Sequence, residues 1–270
     1  VHNRLVVDPR KAKGAVFVDE LDQVRDGVPV VFSAHGVPKS VPAEAEDRGL
    51  SYLDATCPLV SKVHRQAERL VAADRHILFI GHARHPEVIG TFGQVPEGCM
   101  TLIETEADAE ALVVEDPENL AFLTHTTPSV HDPAPTLSIP QRRFPGIVPP
   151  KPDYICYATS NRQAAVRAIA QSCDLVLVIG APNSSNSVRL VEVAEREGTT
   201  AKLIQRADEL DFDWLWGVGT LGITAGASAP ELLVREVVDK LATRFDVSER
   251  QVETAQETIT FKLPRGLEAA

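Results

Sequence analysis

Two cysteines set the first chemical question. Cys57 is followed directly by Pro58, and Cys156 is followed shortly by the small residues Ala158-Thr159-Ser160. Each therefore stands where a helix is expected to begin, and the partial positive charge of a helix N-terminus suits a thiolate that ligates metal. Taken alone, either cysteine reads as a small buried hydrophobe. Their spacing makes the difference, because 24 positions separate Cys57 from Gly81 and 24 separate Cys156 from Gly180. Between cysteine and glycine each copy carries an amphipathic stretch (Ser61–Ala73, Arg162–Ser172) and then a short apolar run (His76–Ile80, Leu175–Ile179). Cys99 and Cys173 have no such counterpart and are expected to be buried fillers.

The residues after each glycine could hold an anion. One loop reads His82-Ala83-Arg84-His85-Pro86-Glu87, the other Ala181-Pro182-Asn183-Ser184-Ser185-Asn186. The hydroxyls and amides of Ser184, Ser185 and Asn186 lie just before a helix expected over Val188–Glu195, which makes a cradle for phosphate oxygens. A well-capped helix is the plainer alternative. His2, His35 and His85 occupy corresponding loops, and together they could supply positive charge for a diphosphate. Glu87 could give up a proton if burial favours its neutral form, or it could simply stabilise a helix N-terminus; the two readings weigh about equally. His64, His76 and His131 read as solvated surface.

Positioning these groups requires an α/β frame with parallel strands. Further strands are expected over Pro29–Ser33, Leu120–Leu123 and Leu221–Thr224, ending in the polar loops Ser33-Ala34-His35-Gly36, Thr124-His125-Thr126-Thr127 and Ala225-Gly226-Ala227-Ser228. A repeat of about a hundred residues thus runs cysteine, helix, strand, loop, helix, strand, loop. The chain opens within a further copy, whose own cysteine is expected roughly 28 residues before His2. The domains expected are 57–153, 154–239, and a remainder at 1–56 joined by 240–270. Glu257–Leu263 alternates like a strand that could close that remainder. Pro133, Pro135 and Pro140 argue for a loop rather than a helix over 133–140.

With 38 acidic and 27 basic residues the net charge is -11, which disfavours broad binding to nucleic acid or acidic membranes. An anionic substrate then needs a local site. No apolar run approaches the roughly 18 residues of a membrane span and the first residues lack a signal-peptide pattern, so a cytoplasmic protein is expected. Four cysteines in 270 residues are too sparse for a disulfide scaffold.

Long segments carry a resemblance. VHNRLVVD (1–8), FSAHG (32–36), DATCPLVSKVH (54–64), GHARHPEVIGTFGQ (81–94), YICYATSNRQ (154–163), NSSNSVRL (183–190) and GITAGASAPE (222–231) together resemble the LytB family of iron–sulfur diphosphate reductases. The resemblance implies a trefoil of three pseudo-repeat α/β domains around a central [4Fe–4S] cluster, with the first domain incomplete here. Cys57 and Cys156 would be two of the cluster's three cysteine ligands. His2, His35, His85, Ser184, Asn186 and Ser228 would bind a diphosphate, with Ser185 beside them, Glu87 as proton donor and Thr126 near the substrate hydroxyl. His125 stands where the family usually carries glutamine. The implied reaction is reductive dehydroxylation of 4-hydroxy-3-methylbut-2-enyl diphosphate to isopentenyl and dimethylallyl diphosphate, with electrons from a ferredoxin or flavodoxin. Two alternatives are a cluster-free diphosphate-binding module and a zinc hydrolase, the latter disfavoured because no CxxC or HExxH spacing occurs.

Overall fold

A computed structural model describes residues 4–124, 135–149 and 156–261. The chain forms two compact units. One comprises 4–17, with helix α1 (Arg4–Ala12), together with 157–258; the other comprises 18–156 with 259–261.

In the 18–156 unit, strands β1 (Val30–Phe32) and β2 (Tyr52–Asp54) pair in parallel, joined through helix α2 (Ser40–Asp47). Beyond Cys57 comes helix α3 (Pro58–Ala72), with proline at its first position, where a missing N–H costs nothing. Strand β3 (His76–Ile80) follows. The chain then passes through α4 (Pro86–Phe92) to β4 (Met100–Ile103), and through α5 (Glu106–Ala111) to β5 (Leu120–Thr124). All pairings are parallel, in the order β4-β3-β5.

The apolar run of β3 is legible because a parallel strand covered on both faces needs no alternation. Ile77 and Phe79 pack with Val63, Ala67 and Leu70 of α3 and Val88 of α4. Leu78, between them, points to the opposite face and joins Ile103, Phe122 and Ile139.

Helix α6 (Pro135–Arg143) corrects the loop expected over this stretch. Pro135 opens the helix without loss, and Pro140 within it forfeits one backbone bond. Packing outweighs that defect, because Ile139 is buried in the second β3 layer and the Arg143 guanidinium donates to the Leu112 carbonyl at 2.7 Å.

The other unit repeats this plan. Helix α7 (Tyr157–Ala170) leads to β6 (Leu175–Ile179), then α8 (Ser185–Arg196), β7 (Thr200–Ile204), short 3-10 turns, β8 (Leu221–Ala225) and α9 (Glu231–Ala242). The order is β7-β6-β8, again all parallel. Every residue of β6 is buried: Leu175, Leu177 and Ile179 meet Leu233, Val237 and Leu241 of α9, while Val176 and Val178 meet Val166 of α7 and Leu190 of α8.

In both three-stranded sheets the first strand is central and the chain visits opposite edges in turn. The order therefore reverses at β3 and at β6, and loops beyond the carboxyl ends of such strands are where open α/β sheets bind ligands. The strand expected over Glu257–Leu263 does not form within its described part, 257–261. Alternation supplies a face, but a strand also needs a ladder partner, and these residues are exposed on both sides.

Candidate functional site

The site in the 18–156 unit is built on the turn after β1. Gly36 donates to the Ser33 carbonyl at 3.0 Å with φ at +80°, a conformation that favours glycine. Ser33 fixes His35 twice: its Oγ lies 2.9 Å from His35 Nδ1 and accepts the His35 backbone N–H at 3.3 Å. The turn is held from two helices. The Cys57 N–H at the head of α3 donates to the Ala34 carbonyl at 2.9 Å. From α4 the backbone comes so close that a Cβ on Gly90 would lie 2.9 Å from the Gly36 oxygen, and Gln94, just past the helix, donates to the Val37 carbonyl at 2.8 Å.

This docking brings the rings of His35 and His85 to 5.9 Å between centroids, edge to face. His85 caps α4, its Nδ1 accepting the Glu87 backbone N–H at 3.2 Å. The cap engages Nδ1 of His85, and the same ring faces His35 across the turn. Glu87 lies in the first turn of α4 and is only 2 % exposed. It thus has both the macrodipole of the helix and the seclusion from bulk water that a protected proton donor requires.

Cys57 is the N-cap residue of α3, half-buried and without a side-chain capping bond, and Cys156 is half-buried immediately before α7. Among the described residues no cysteine forms a disulfide, and no group of three or more His, Cys, Asp or Glu residues gathers as a metal site. Two thiols at the heads of equivalent helices fit the donor set of an iron–sulfur cluster, whose ligands are thiolates. Cys173 differs, because burial pushes its thiol up and its sulfur packs behind Gly222. It is partly buried against the core beside β6 rather than fully buried as expected.

In the 157–258 unit the loops after β6 and β8 are tied into one cluster. Ser184 is buried and caps α8, accepting the Ser187 N–H at 3.4 Å, so the capping alternative holds for this residue while its hydroxyl hydrogen stays available to a ligand. Asn186 accepts the Ala227 N–H at 2.9 Å and faces the Thr159 hydroxyl at 3.5 Å. Ser187 is wedged between two glycines: a Cβ on Gly180 or Gly226 would come within 2.1 or 2.2 Å of its oxygen. The outcome is that Ser184, Ser185, Asn186 and Ser228 share one end of this sheet. Buried Thr159, like Ser33, carries a positioning bond at a residue given no role from the sequence, and Ser187, part of the polar run already singled out, is held by its backbone N–H on Ser184. For Thr159 and Ser33 the only signal was their place beside residues already singled out.

His2, Thr126, His125 and His131 lie outside the described residues. Two histidines expected on the surface are not there. His76 is half-buried with Nε2 2.8 Å from the Thr101 hydroxyl. His64 is 9 % exposed, and burial lowers its pKa, with Glu68 and Asp54 pulling weakly the other way. It lies two turns along α3 on the side that packs under Gly36, which helical periodicity alone could not distinguish from the neighbouring solvated face.

Comparison with known proteins gives a consistent result. Residues 1–242 match the model of the LytB protein family. Over 267 residues the chain is 60 % identical to a 4-hydroxy-3-methylbut-2-enyl diphosphate reductase from Phenylobacterium zucineum, covering 99 % of this chain and 85 % of that relative. A protein of the same name from Hyphomonas neptunium is 60 % identical over 268 residues with the same coverage. Among solved structures, the E-1-hydroxy-2-methyl-but-2-enyl-4-diphosphate reductase from Plasmodium falciparum superposes with a TM-score of 0.92 at 34 % identity, covering 98 % of this chain and 83 % of that one. A second, described as the terminal enzyme of the non-mevalonate pathway, gives a TM-score of 0.61 at 28 % identity over 90 % of this chain and 85 % of that one.

Proposed function

Because the chain belongs to the LytB protein family, we propose that it catalyses reductive removal of the allylic hydroxyl of (E)-4-hydroxy-3-methylbut-2-enyl diphosphate, yielding isopentenyl and dimethylallyl diphosphate. The observation that carries this reading is the His35–His85 pair, 5.9 Å apart, at the head of the helix that buries Glu87 and one backbone bond from the turn of Cys57. Donors for a diphosphate, a secluded carboxyl and a candidate metal-binding thiol are thereby joined within one unit.

His35 and His85 donate to the diphosphate, with Ser184, Asn186 and Ser228 completing its binding, Ser185 beside them and His2 added from the same motif set. Imidazole, hydroxyl and amide groups suit this task in a chain of net charge -11, since each supplies local complementarity independent of the overall field. Cys57 and Cys156 would hold the [4Fe–4S] cluster through their thiolates. When bound, that cluster supplies electrons one at a time and a Lewis-acidic iron. Loss of the hydroxyl as water consumes two electrons and two protons, one to the departing oxygen and one to the allylic carbon. Glu87 delivers the proton that lets oxygen leave, with Thr126 near the substrate hydroxyl. Electrons come from a ferredoxin or flavodoxin. In this reading 57–153 and 154–239 are two α/β domains of one repeat and 1–56 with 240–270 is the remainder of a third, supported by the shared 24-position spacing and the matched strand orders.

The test is anaerobic purification with iron and sulfide, followed by turnover with a reduced one-electron donor. A brown protein that releases both isomeric diphosphates is expected. A colourless, zinc-containing protein that releases neither would end the proposal.

A further inference from the structure

His64 invites a question that the reaction leaves open. It is nine-tenths buried, and its Nε2 makes no hydrogen bond among the described residues. Burying such a nitrogen without a partner is unfavourable, and an apolar side chain of similar size would fit α3 with less penalty. The ring lies directly beneath the Gly36 turn: a Cβ on Gly36 would be 2.5 Å from His64 Cε1 and 3.0 Å from Nε2. Gly36 follows His35, and the same turn is bonded to Cys57 at the head of the helix that carries His64. A second observation comes from the repeat. His64 lies seven positions after Cys57, and the residue seven after Cys156 is Gln163, which is 1 % exposed and whose amide nitrogen and oxygen also lack partners among the described residues. A buried, unsatisfied side-chain nitrogen thus recurs at the same step beyond both cysteines.

We infer that His64 is a positioning residue, the floor against which the Gly36 turn seats so that His35 is aimed beside His85 at a diphosphate. The inference rests on the reading of His35 and His85 as diphosphate ligands and deepens it. His64 touches no substrate atom; it acts through the turn. The turn rests on the flat edge of that ring, Cε1 and Nε2, by contact rather than by a hydrogen bond.

Two variants test this on the cluster-loaded protein. His64→Leu replaces the flat ring edge with a branched aliphatic group, while His64→Gln restores a planar group of about the same reach. The readouts are KM and kcat for the allylic diphosphate, the dissociation constant of inorganic pyrophosphate by calorimetry, the visible absorbance of the cluster, and the unfolding midpoint. For His64→Leu we expect KM and the pyrophosphate dissociation constant to rise together by about tenfold, which corresponds to one decade of affinity. We expect kcat within about twofold, an unchanged spectrum, and a midpoint equal to or above that of the parent. His64→Gln should recover most of the affinity. Unchanged KM and pyrophosphate affinity in His64→Leu would overturn the inference, as would a joint loss of kcat and cluster absorbance, which would place the effect on Cys57 instead. Should His64→Leu fail to fold, a His64→Gln variant that folds but binds pyrophosphate no better than a His35→Ala control would overturn it equally. A parent protein that binds pyrophosphate yet turns over no substrate would defeat the reading of the reaction while leaving the dissociation constants to decide the role of His64.

Discussion

In the proposed reading His85 and Glu87, neighbours at the start of one short helix, divide binding from chemistry. The Glu87 carboxyl is secluded at the start of α4, and a positioned proton donor of this kind contributes on the order of 10²- to 10⁴-fold to rate. Glu87→Gln should therefore lower kcat by at least about a hundredfold, while calorimetry finds pyrophosphate affinity within about twofold of the parent. In the proposed reading His85 has two duties, since its Nδ1 caps α4 and the ring also serves the diphosphate. His85→Asn retains an acceptor for the Glu87 N–H and should unfold near the parent midpoint. His85→Ala loses the cap and about 1 kcal/mol with it. Both variants lose affinity for the substrate, so comparing urea midpoints with KM separates the two duties. These residues were legible in the sequence because they sit at matched loops of a counted repeat. His64 was not, because what buries it is the close approach of the Gly36 turn, a contact between segments 28 positions apart.

At the level of elements, the central strands β3 and β6 were read with their observed bounds, since a run such as LVLVI has no other comfortable environment. The edge strands β2, β4 and β7 went unread. Each is short and mixes polar with apolar residues, as in TAKLI, and its strand state is imposed by the neighbour it pairs with. The helix over Pro135–Arg143 was misread for a related reason: proline chemistry argues locally, whereas Ile139 is drawn in by a core assembled from β3 and β5. Where local chemistry does decide, the outcome can be foreseen. Helix α5 begins with a reciprocal capping box, Thr105 accepting from the Asp108 N–H at 3.1 Å and Asp108 accepting from the Thr105 N–H at 2.8 Å. The Thr105 backbone and hydroxyl, with the Glu104 N–H, hold the Asp108 carboxyl below its ordinary range. Thr105→Ala should cost about 1 kcal/mol in urea unfolding at neutral pH. Because a depressed carboxylate stabilises above its unfolded pKa and loses that contribution as pH falls through the folded value, the gap between variant and parent should narrow in acid. An equal gap at pH 7 and at low pH would show that the box contributes through the hydroxyl alone.

The whole molecule carries an excess of eleven negative charges and yet is read as gripping a diphosphate, a task for local donors, and strand order reverses at β3 in one unit and at β6 in the other, each placing polar loops at its own carboxyl end. The repeat pointed to corresponding loops before any coordinates, since equal spacing from cysteine to glycine marks matched helix–strand units, whereas the strand order itself was not read. The sequence offered no comparable rule for which polar groups are buried, and this bears on how the molecule as a whole responds to pH. His64 is held neutral chiefly by burial, so its folded pKa lies below the unfolded value of about 6.5. Between those two values the unfolded chain binds the proton and the folded chain does not. Unfolding free energy therefore falls as pH drops below about 6.5, continues to fall toward the depressed folded value, and is insensitive to this group above neutrality. Urea titrations of the parent and of His64→Leu from pH 7.5 downward should diverge on the acid side, with the leucine variant retaining more stability. Parallel curves would mean that His64 takes up its proton in the folded chain, which would require it to leave its place beneath Gly36.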